Sequence, residues 1–393
     1  MPRSKKTAPL SCCLAHLYAA AMVSDPAILF VSVGSNSARP FGMDARERAC
    51  RLAANAGFEC SDAPEPGRAV LLASVRYAWD PAWLKAMGTR PGTMLTLAGE
   101  PVMAHVAAGS NIAAAAAGLE DHQIVEGYGL LAAETAELSY AELRKRERPF
   151  VMLLDADEEE PVERAAYDAA YKGVTDALTL YLWRKPAFYL TRWAARAGIA
   201  PNAVTLVGAV LCALAFLLFW RGEYWWGVLS GFGFMVLDTV DGKLARVTGA
   251  SSKWGEVFDH GIDIVHPPFW YWAWEHGLAL YGRPLEPVFT TMVLWTIIGG
   301  YIAQRMIELI FIKRLGLEIH VWRPIDSRFR LVTARRNPNM VILVASLLVR
   351  RPDVGLELVA GWTLASLIFH AVRLAQASER AARGQKIVSW LET

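Results

Sequence analysis

Residues 203–220 run for eighteen positions without a charged side chain, and that stretch constrains the class of the chain more than any other. About 20 residues of helix cross the hydrocarbon core of a bilayer, where backbone groups can be satisfied only within the helix itself. Further apolar segments follow at 224–244, 255–278, 288–312, 339–349 and 354–374. The fifth is short, yet six crossings return both ends of this region to one side. Composition agrees, with 54% hydrophobic residues, 20% charged residues and 15 Trp, which excludes disorder for the bulk of the chain. Formal charge is only +2, and no Lys/Arg-rich arm interleaved with aromatics is present. Nucleic acid is therefore excluded as the main partner. Cys12, Cys13, Cys50, Cys60 and Cys212 form no CxxC pair and read as free thiols.

The loops orient the expected spans. Segment 313–336 carries seven basic residues against two acids, and Arg184, Lys185, Arg192 and Arg196 precede the first span. The positive-inside rule makes these segments cytoplasmic. An integral membrane protein is expected, in the inner membrane if bacterial, with both termini and the site cytoplasmic. Residues 184–199 combine a basic face with Phe188, Leu190 and Trp193, as in a helix lying in the membrane interface.

The expected organisation has five parts. Residues 1–25 form a leader without fixed structure: Arg3, Lys5 and Lys6 imitate a secretory signal, but Pro9, Ser11 and His16 break its apolar core, and Met22 offers an alternative start. Residues 26–160 read as a soluble α/β domain with strands at 27–33, 69–75 and 149–154. A helix is expected at 44–58 and a helical or small-residue packing segment at 101–117. Their alternation favours a parallel sheet, ended by the acidic run 155–160. A linker and interfacial helix (161–200), an all-α six-helix transmembrane domain (201–378) and a cytoplasmic tail (379–393) complete the chain.

Four aspartates stand where lipid should exclude them. Asp238 and Asp241 are three apart and Asp259 and Asp263 four apart, so each pair shares a helix face. An Asp at the bilayer centre costs about 2.5–3.5 kcal/mol even on a forgiving scale, so the four require compensation. Only Lys243 and Arg246 are cations nearby in sequence. An antiparallel hairpin of the two helices, with a loop of about ten residues, would bring the pairs together near the cytoplasmic surface. Oxygen-only ligands select a hard cation, Mg²⁺ or Mn²⁺, whose shell phosphate oxygens commonly complete. Gly242 and Ala245 leave room beside such a site, and Gly255 would let the helices pack closely.

These positions read Asp238-x2-Asp241-Gly242-x2-Ala245-Arg246-x8-Gly255-x3-Asp259-x3-Asp263, eight fixed residues over 26 positions. The pattern resembles the signature of the CDP-alcohol phosphotransferase family. The resemblance extends over 177–375 and includes Pro201-Asn202-x2-Thr205. It implies a six-helix membrane enzyme that moves a phospho-alcohol from a CDP-alcohol donor to a lipid or polyol-phosphate acceptor and releases CMP. It further implies that Asp238, Asp241 and Asp259 hold two divalent ions, that Asp263 shares a metal and acts as general base, and that a homodimer forms. Gly242, Ala245, Arg246, Gly255, Asn202 and Thr205 would serve the nucleotide.

For the acceptor, the basic loop with Arg323, Arg328, Arg330, Arg335 and Arg336, together with Arg305, offers a grip on a phosphate such as that of inositol phosphate, with Arg305, Arg328, Arg335 and Arg336 as the four expected acceptor residues. Alternatively they only set topology and touch anionic lipid head groups. The first half is similar, more faintly, to the nucleotidyltransferase domain of bifunctional inositol-phosphate cytidylyltransferases. Gly34 and Arg39 match its loop, whereas the second glycine and a lysine at 43–46 are missing, which marks the domain as degenerate. Two other classes stay open here, a transporter with an intramembrane aspartate ion site and a membrane-anchored scaffold.

Overall fold

The computed structural model describes residues 28–136, 138, 148–171 and 173–392; the expected leader at 1–25 lies outside the described residues. The chain divides into two compact units, one of Met1–Ser37, Ala45–Ala136 and Val151–Asp155, the other of Ala38–Asp44, Glu137–Phe150 and Ala156–Thr393.

The first unit is built on a six-stranded sheet. Its elements are β1 (Leu29–Val33), α1 (Ala45–Asn55), β2 (Glu59–Ser61), β3 (Val70–Ser74), β4 (Tyr77–Trp79), α2 (Ala82–Gly88), β5 (Thr93–Leu97), β6 (Glu100–Val106), α3 (Ile112–Glu120), β7 (Gly129–Ala132) and β8 (Val151–Leu153). Strand order is β2-β1-β3-β6-β5-β7. All five residues of β1 and of β3 are buried, as expected of strands covered on both faces.

The sheet is mixed, where the alternation of elements favours a parallel one. β1 runs parallel to β2 and β3, but β6 is antiparallel to β3 and β5. The reason lies in 101–117, which is a strand followed by a helix. Residues 101–106 are all buried, and periodicity cannot tell such a run from a buried helix. The turn decides. Ala98 and Gly99 both have positive φ, 51° and 84°, the two-residue geometry that closes a tight antiparallel hairpin. The expected last strand does form, but β8 pairs with β4 in a separate two-stranded ribbon.

The second unit is helical: α4 (Glu160–Ala169), α5 (Arg184–Arg196), α6 (Pro201–Trp220), α7 (Tyr224–Thr248), α8 (Lys253–Tyr281), α9 (Pro287–Leu315), α10 (Pro324–Arg330), α11 (Arg336–Leu348) and α12 (Pro352–Ala382). Among the described residues, α6, α9 and α12 are long and apolar enough to cross a membrane, with mean hydropathies of 2.5, 1.3 and 1.5. The other expected spans have physical reasons to fall short of that measure. α7 and α8 carry the aspartates, and the 13 residues of α11 rise only about 20 Å.

Aromatic packing holds the bundle. Phe219, Tyr224, Trp270, Trp274 and Leu356 share one buried cluster, and the Tyr224 hydroxyl donates to the Trp274 carbonyl at 2.6 Å. Both ends of α6 meet a glycine of α8. A Cβ at Gly277 would stand 2.0 Å from the Phe219 carbonyl oxygen, and one at Gly255 would stand 2.5 Å from Asn202 Oδ1. At Gly277 the obstacle is backbone and no side chain fits; at Gly255 the Asn202 and Ser252 side chains would have to turn aside. α6 and α8 thus approach backbone to backbone at the Phe219–Gly277 end.

α5 has two apolar aspects. Ala187, Phe188, Thr191 and Ala194 are buried, while Tyr189, Leu190 and Trp193 are exposed at 55%, 37% and 62%, the arrangement an interfacial helix needs.

Candidate active site

α7 ends with Gly249 in the left-handed conformation (φ 66°), and α8 begins after Ser252, whose side chain accepts from the Gly255 N–H at 3.0 Å. The connection is thus 249–252, shorter than the ten-residue loop expected, because α7 continues through Thr248. The helices are not a close hairpin. Phe234 of α7 stands edge-on to His266 and Trp270 of α8, ring centroids 5.0 and 5.9 Å apart. These rings fill the space between the two helices beside the aspartates.

One guanidinium bridges the two helices. Arg336, at the start of α11, donates from Nη2 to Asp238 Oδ2 and from Nη1 to Asp263 Oδ1, both at 2.8 Å, and lies 4.8 Å above the Phe234 ring. Planar two-pronged donation of this kind fixes both carboxylates at once. Asp241 is 4% exposed. The Thr205 hydroxyl lies 2.6 Å from its Oδ2, and the Gly242 N–H donates to its Oδ1 at 2.5 Å. Asp259 is half-buried and interacts with Asp238, Asp241 and Asp263. All four carboxylates therefore converge.

The compensating cation comes from far along the chain. Lys243 turns away: its Nζ donates to the Ala170 carbonyl at 2.8 Å and sits 3.4 Å from the Tyr171 ring centroid. Arg246 is exposed and folds back over Gly242, Nη2 standing 3.1 Å from where a Cβ would be. Gly242, Ala245 and Arg246 occupy the turn after the first aspartate pair. Asn202, against Gly255, and Thr205, on Asp241, attach the start of α6 to the same place.

A second buried cluster has the opposite sign. Arg335 Nη2 and Arg305 Nη2 approach Glu308 Oε1 at 2.5 and 3.0 Å, and His320 Nε2 lies 3.2 Å from the same oxygen. Glu308, His320 and His370 have potential ligand atoms within 4.8 Å of one another. Two guanidiniums already sit on the carboxylate, so the surroundings suit an anion better than a metal ion. Arg305 Nε, Arg330 Nε and Nη1, Arg335 Nε and both ring nitrogens of His370 are buried without a hydrogen-bond partner. Burial, reinforced by the Arg335 charge, pushes Arg330 down to about 9. Burial holds His320 well below the usual imidazole range, and thus neutral. Such orphaned donors are costly unless something accepts from them.

The four arginines named for the acceptor are distributed unevenly. Arg305 and Arg335 join this cluster, Arg336 joins the aspartates, and Arg328 is exposed on α10 with no contact to either. Arg330, two residues on, takes the inward place because it shares a helix face with the buried Asp326 four residues earlier. Glu308 carries a signal the sequence reading overlooked, an acid inside an apolar span. His370, inside the expected span 354–374, carries the same kind of signal, and His320, in the loop, offers none.

Residues 198–372 match the model of the CDP-alcohol phosphatidyltransferase family. This helical region belongs to that family. The chain is 41% identical over 71 residues to a phosphatidylinositol phosphate synthase of Streptomyces avermitilis, covering 18% of this chain and 29% of that protein. It is 30% identical over 123 residues to cholinephosphotransferase 1 of Xenopus laevis, 28% of this chain and 29% of that protein. It is 33% identical over 90 residues to a phosphatidylinositol phosphate synthase of Mycolicibacterium smegmatis, 21% of this chain and 40% of that protein. The chain thus spans less than half the length of these curated relatives. Among such relatives the transporter alternative is not favoured.

Proposed function

We propose that the chain is an integral membrane phosphotransferase of phospholipid synthesis. It moves a phospho-alcohol from a CDP-alcohol to an acceptor hydroxyl and releases CMP. The observation that carries this reading is the gathering of four carboxylates from α7 and α8, two of them held by the single guanidinium of Arg336. Oxygen donors in excess of nearby cationic charge fit a hard divalent ion, and Asp238, Asp241, Asp259 and Asp263 would hold two such ions, Mg²⁺ or Mn²⁺. When bound, the ions supply neutralisation of the pyrophosphate and of the departing CMP.

The chain's own residues do the rest. Thr205 and the Gly242 N–H fix the rotamer of Asp241, and Arg336 holds Asp238 and Asp263 in register. Asp263 is the more open of that pair, its side chain 43% exposed against 16% for Asp238. It is the carboxylate placed to take the acceptor's proton. The acceptor oxygen bonds to the β-phosphorus, the bond from that phosphorus to the CMP oxygen breaks, and the proton passes to Asp263. Gly242, Ala245 and Gly255 would line the cytidine site, which opens when the Arg246 side chain that lies over Gly242 and the Asn202 side chain beside Gly255 turn toward the nucleotide.

The orphaned donors of Arg305, Arg330 and Arg335 favour an acceptor that carries a phosphate, as the name phosphatidylinositol phosphate synthase of two relatives suggests. We read six spans with a cytoplasmic site, and a sheet unit that is nucleotidyltransferase-like but degenerate in its loop. The test is CMP release by the purified protein from CDP-diacylglycerol and from soluble CDP-alcohols, with Mg²⁺ or Mn²⁺ and a panel of phosphorylated and plain alcohols. Metal-dependent CMP release that needs a phosphorylated acceptor supports the reading; no CMP from any donor overturns it.

A further inference from the structure

Residues Ala38–Asp44 lie in sequence between β1 and α1 of the sheet unit, yet they pack within the helical unit. At their centre Phe41 is fully buried and left-handed, φ 57° and ψ 24°. A bulky residue holds that conformation only where its surroundings over-determine it. Here they do. The Phe41 N–H donates to Glu163 Oε1 at 2.7 Å, and the Arg39 N–H donates to Glu159 Oε1 at 2.5 Å. Glu163, itself wholly buried, also takes Arg192 at 2.5 Å and Arg196 at 3.1 Å. Gly42 lies so near α5 that a Cβ would stand 3.1 Å from the Arg196 Cα.

What this arrangement achieves is the seating of one ring. Phe41 packs in a cluster with Ala166, Ala170 and Val247, and Val247 is the residue after Arg246 on α7. The same end of α4 grips α7 again through Lys243, which donates to Ala170 and lies over Tyr171. Lys243 and Val247 are four apart and share a face of α7, whereas Asp241, two residues before Lys243, points nearly the opposite way. The turn that carries Gly242, Ala245 and Arg246 is thus backed from behind at two successive levels.

We propose that Ala38–Asp44 and α4 form a clasp that positions the nucleotide-facing turn of α7, with Phe41 as its positioning residue. The inference rests on the phosphotransferase reading above, and it assigns a task to a loop that the sequence offers only as a weakened phosphate cradle. It explains why a phenylalanine sits at a left-handed position between Pro40 and Gly42. It also explains why Glu163 is buried with two arginines.

The test uses the full-length purified protein and the variants Phe41→Ala, Phe41→Leu, Val247→Ala and the Phe41→Ala/Val247→Ala double. CMP affinity is measured by calorimetry with Mg²⁺, and KM and kcat are measured for donor and acceptor separately. Phe41→Ala is expected to weaken CMP binding and raise the donor KM about tenfold, with the acceptor KM unchanged within about twofold. Phe41→Leu should recover most of the loss, and the double variant should be no weaker than the worse single one. Unchanged CMP affinity in Phe41→Ala, with only a lowered thermal midpoint, overturns the clasp and leaves the phosphotransferase reading intact. A wild-type protein that neither binds nor releases CMP overturns both. Should Phe41→Ala fail to fold, Phe41→Leu and Val247→Ala carry the same comparison.

Discussion

The helical unit holds two buried charge clusters that are near mirror images. In one, four carboxylates gather near a single guanidinium, Arg336, which bonds two of them; in the other, Arg305 and Arg335 bond the carboxylate of Glu308, and Arg330 adds a third positive charge that both Asp176 and Glu308 feel. Each leaves one sign of charge in excess, which folding alone does not favour. An excess of buried anion calls for cations and an excess of buried guanidinium calls for an anion. The junction between them is two consecutive residues, Arg335 and Arg336, which reach one cluster each. On the proposed reading, that adjacency would set a cation site beside an anion site, the pairing that transfer from a metal-bound donor to a phosphorylated acceptor needs.

The comparison is broken most severely on the acidic side. Asp263→Ala is expected to lower kcat by about 10²–10⁴-fold, read as CMP release at saturating donor. An unaltered kcat would remove Asp263 from its role. The basic side should respond in binding instead. Arg335→Ala is expected to raise the acceptor KM about 10- to 100-fold, the range for a lost charge-assisted hydrogen bond. Arg328→Ala, on the exposed face of α10, should leave it unchanged. Equal effects of the two would reduce the arginines to a topology signal.

Arg336 sharpens the contrast because it stands among anions. Arg336→Ala should lower the thermal midpoint of the metal-free protein by about 3–8 °C, as buried carboxylates lose their partner. Mg²⁺ should restore part of that loss, and a metal-independent deficit would deny that ion and guanidinium share a task. The smallest effect is expected at Asp176, which accepts from the Thr179 N–H, the Thr179 hydroxyl and Asn337 Nδ2 at 3.0, 2.8 and 2.9 Å. Burial pushes this carboxyl up, but the Arg330 charge and these hydrogen bonds outweigh it, so the folded value lies below the ordinary one. Its stabilisation is therefore complete above about pH 4 and lost as pH falls through the lowered folded value. Asp176→Asn should depress the thermal midpoint at pH 7 by a few degrees, about 1 kcal/mol, and the gap should close toward pH 3.

What was legible in the sequence follows from the range of the forces involved. Asp238 through Asp263 announce themselves because a carboxylate in an apolar helix needs a reason, and helix periodicity alone sets which residues share a face. Arg336 does not announce its partners: they lie 73 and 98 residues away, and only the packing of α11 brings them together. The direction of β6 was hidden in the same way, since a strand buried on both faces has no period and the deciding feature is the backbone of Ala98 and Gly99. Phe41 is the extreme case. Its neighbours Pro40 and Gly42 signal a turn, but nothing local says that the ring will meet Val247 on a helix two hundred residues on.

The central claim, that the four aspartates form a cage for divalent cations, is tested most directly by Mn²⁺ binding to the purified full-length protein, followed by electron paramagnetic resonance. Wild type should bind Mn²⁺ in competition with Mg²⁺, and Asp238→Ala and Asp259→Ala should each lose most of that binding while keeping their fold. Mn²⁺ uptake that is the same in wild type and both variants would contradict the claim.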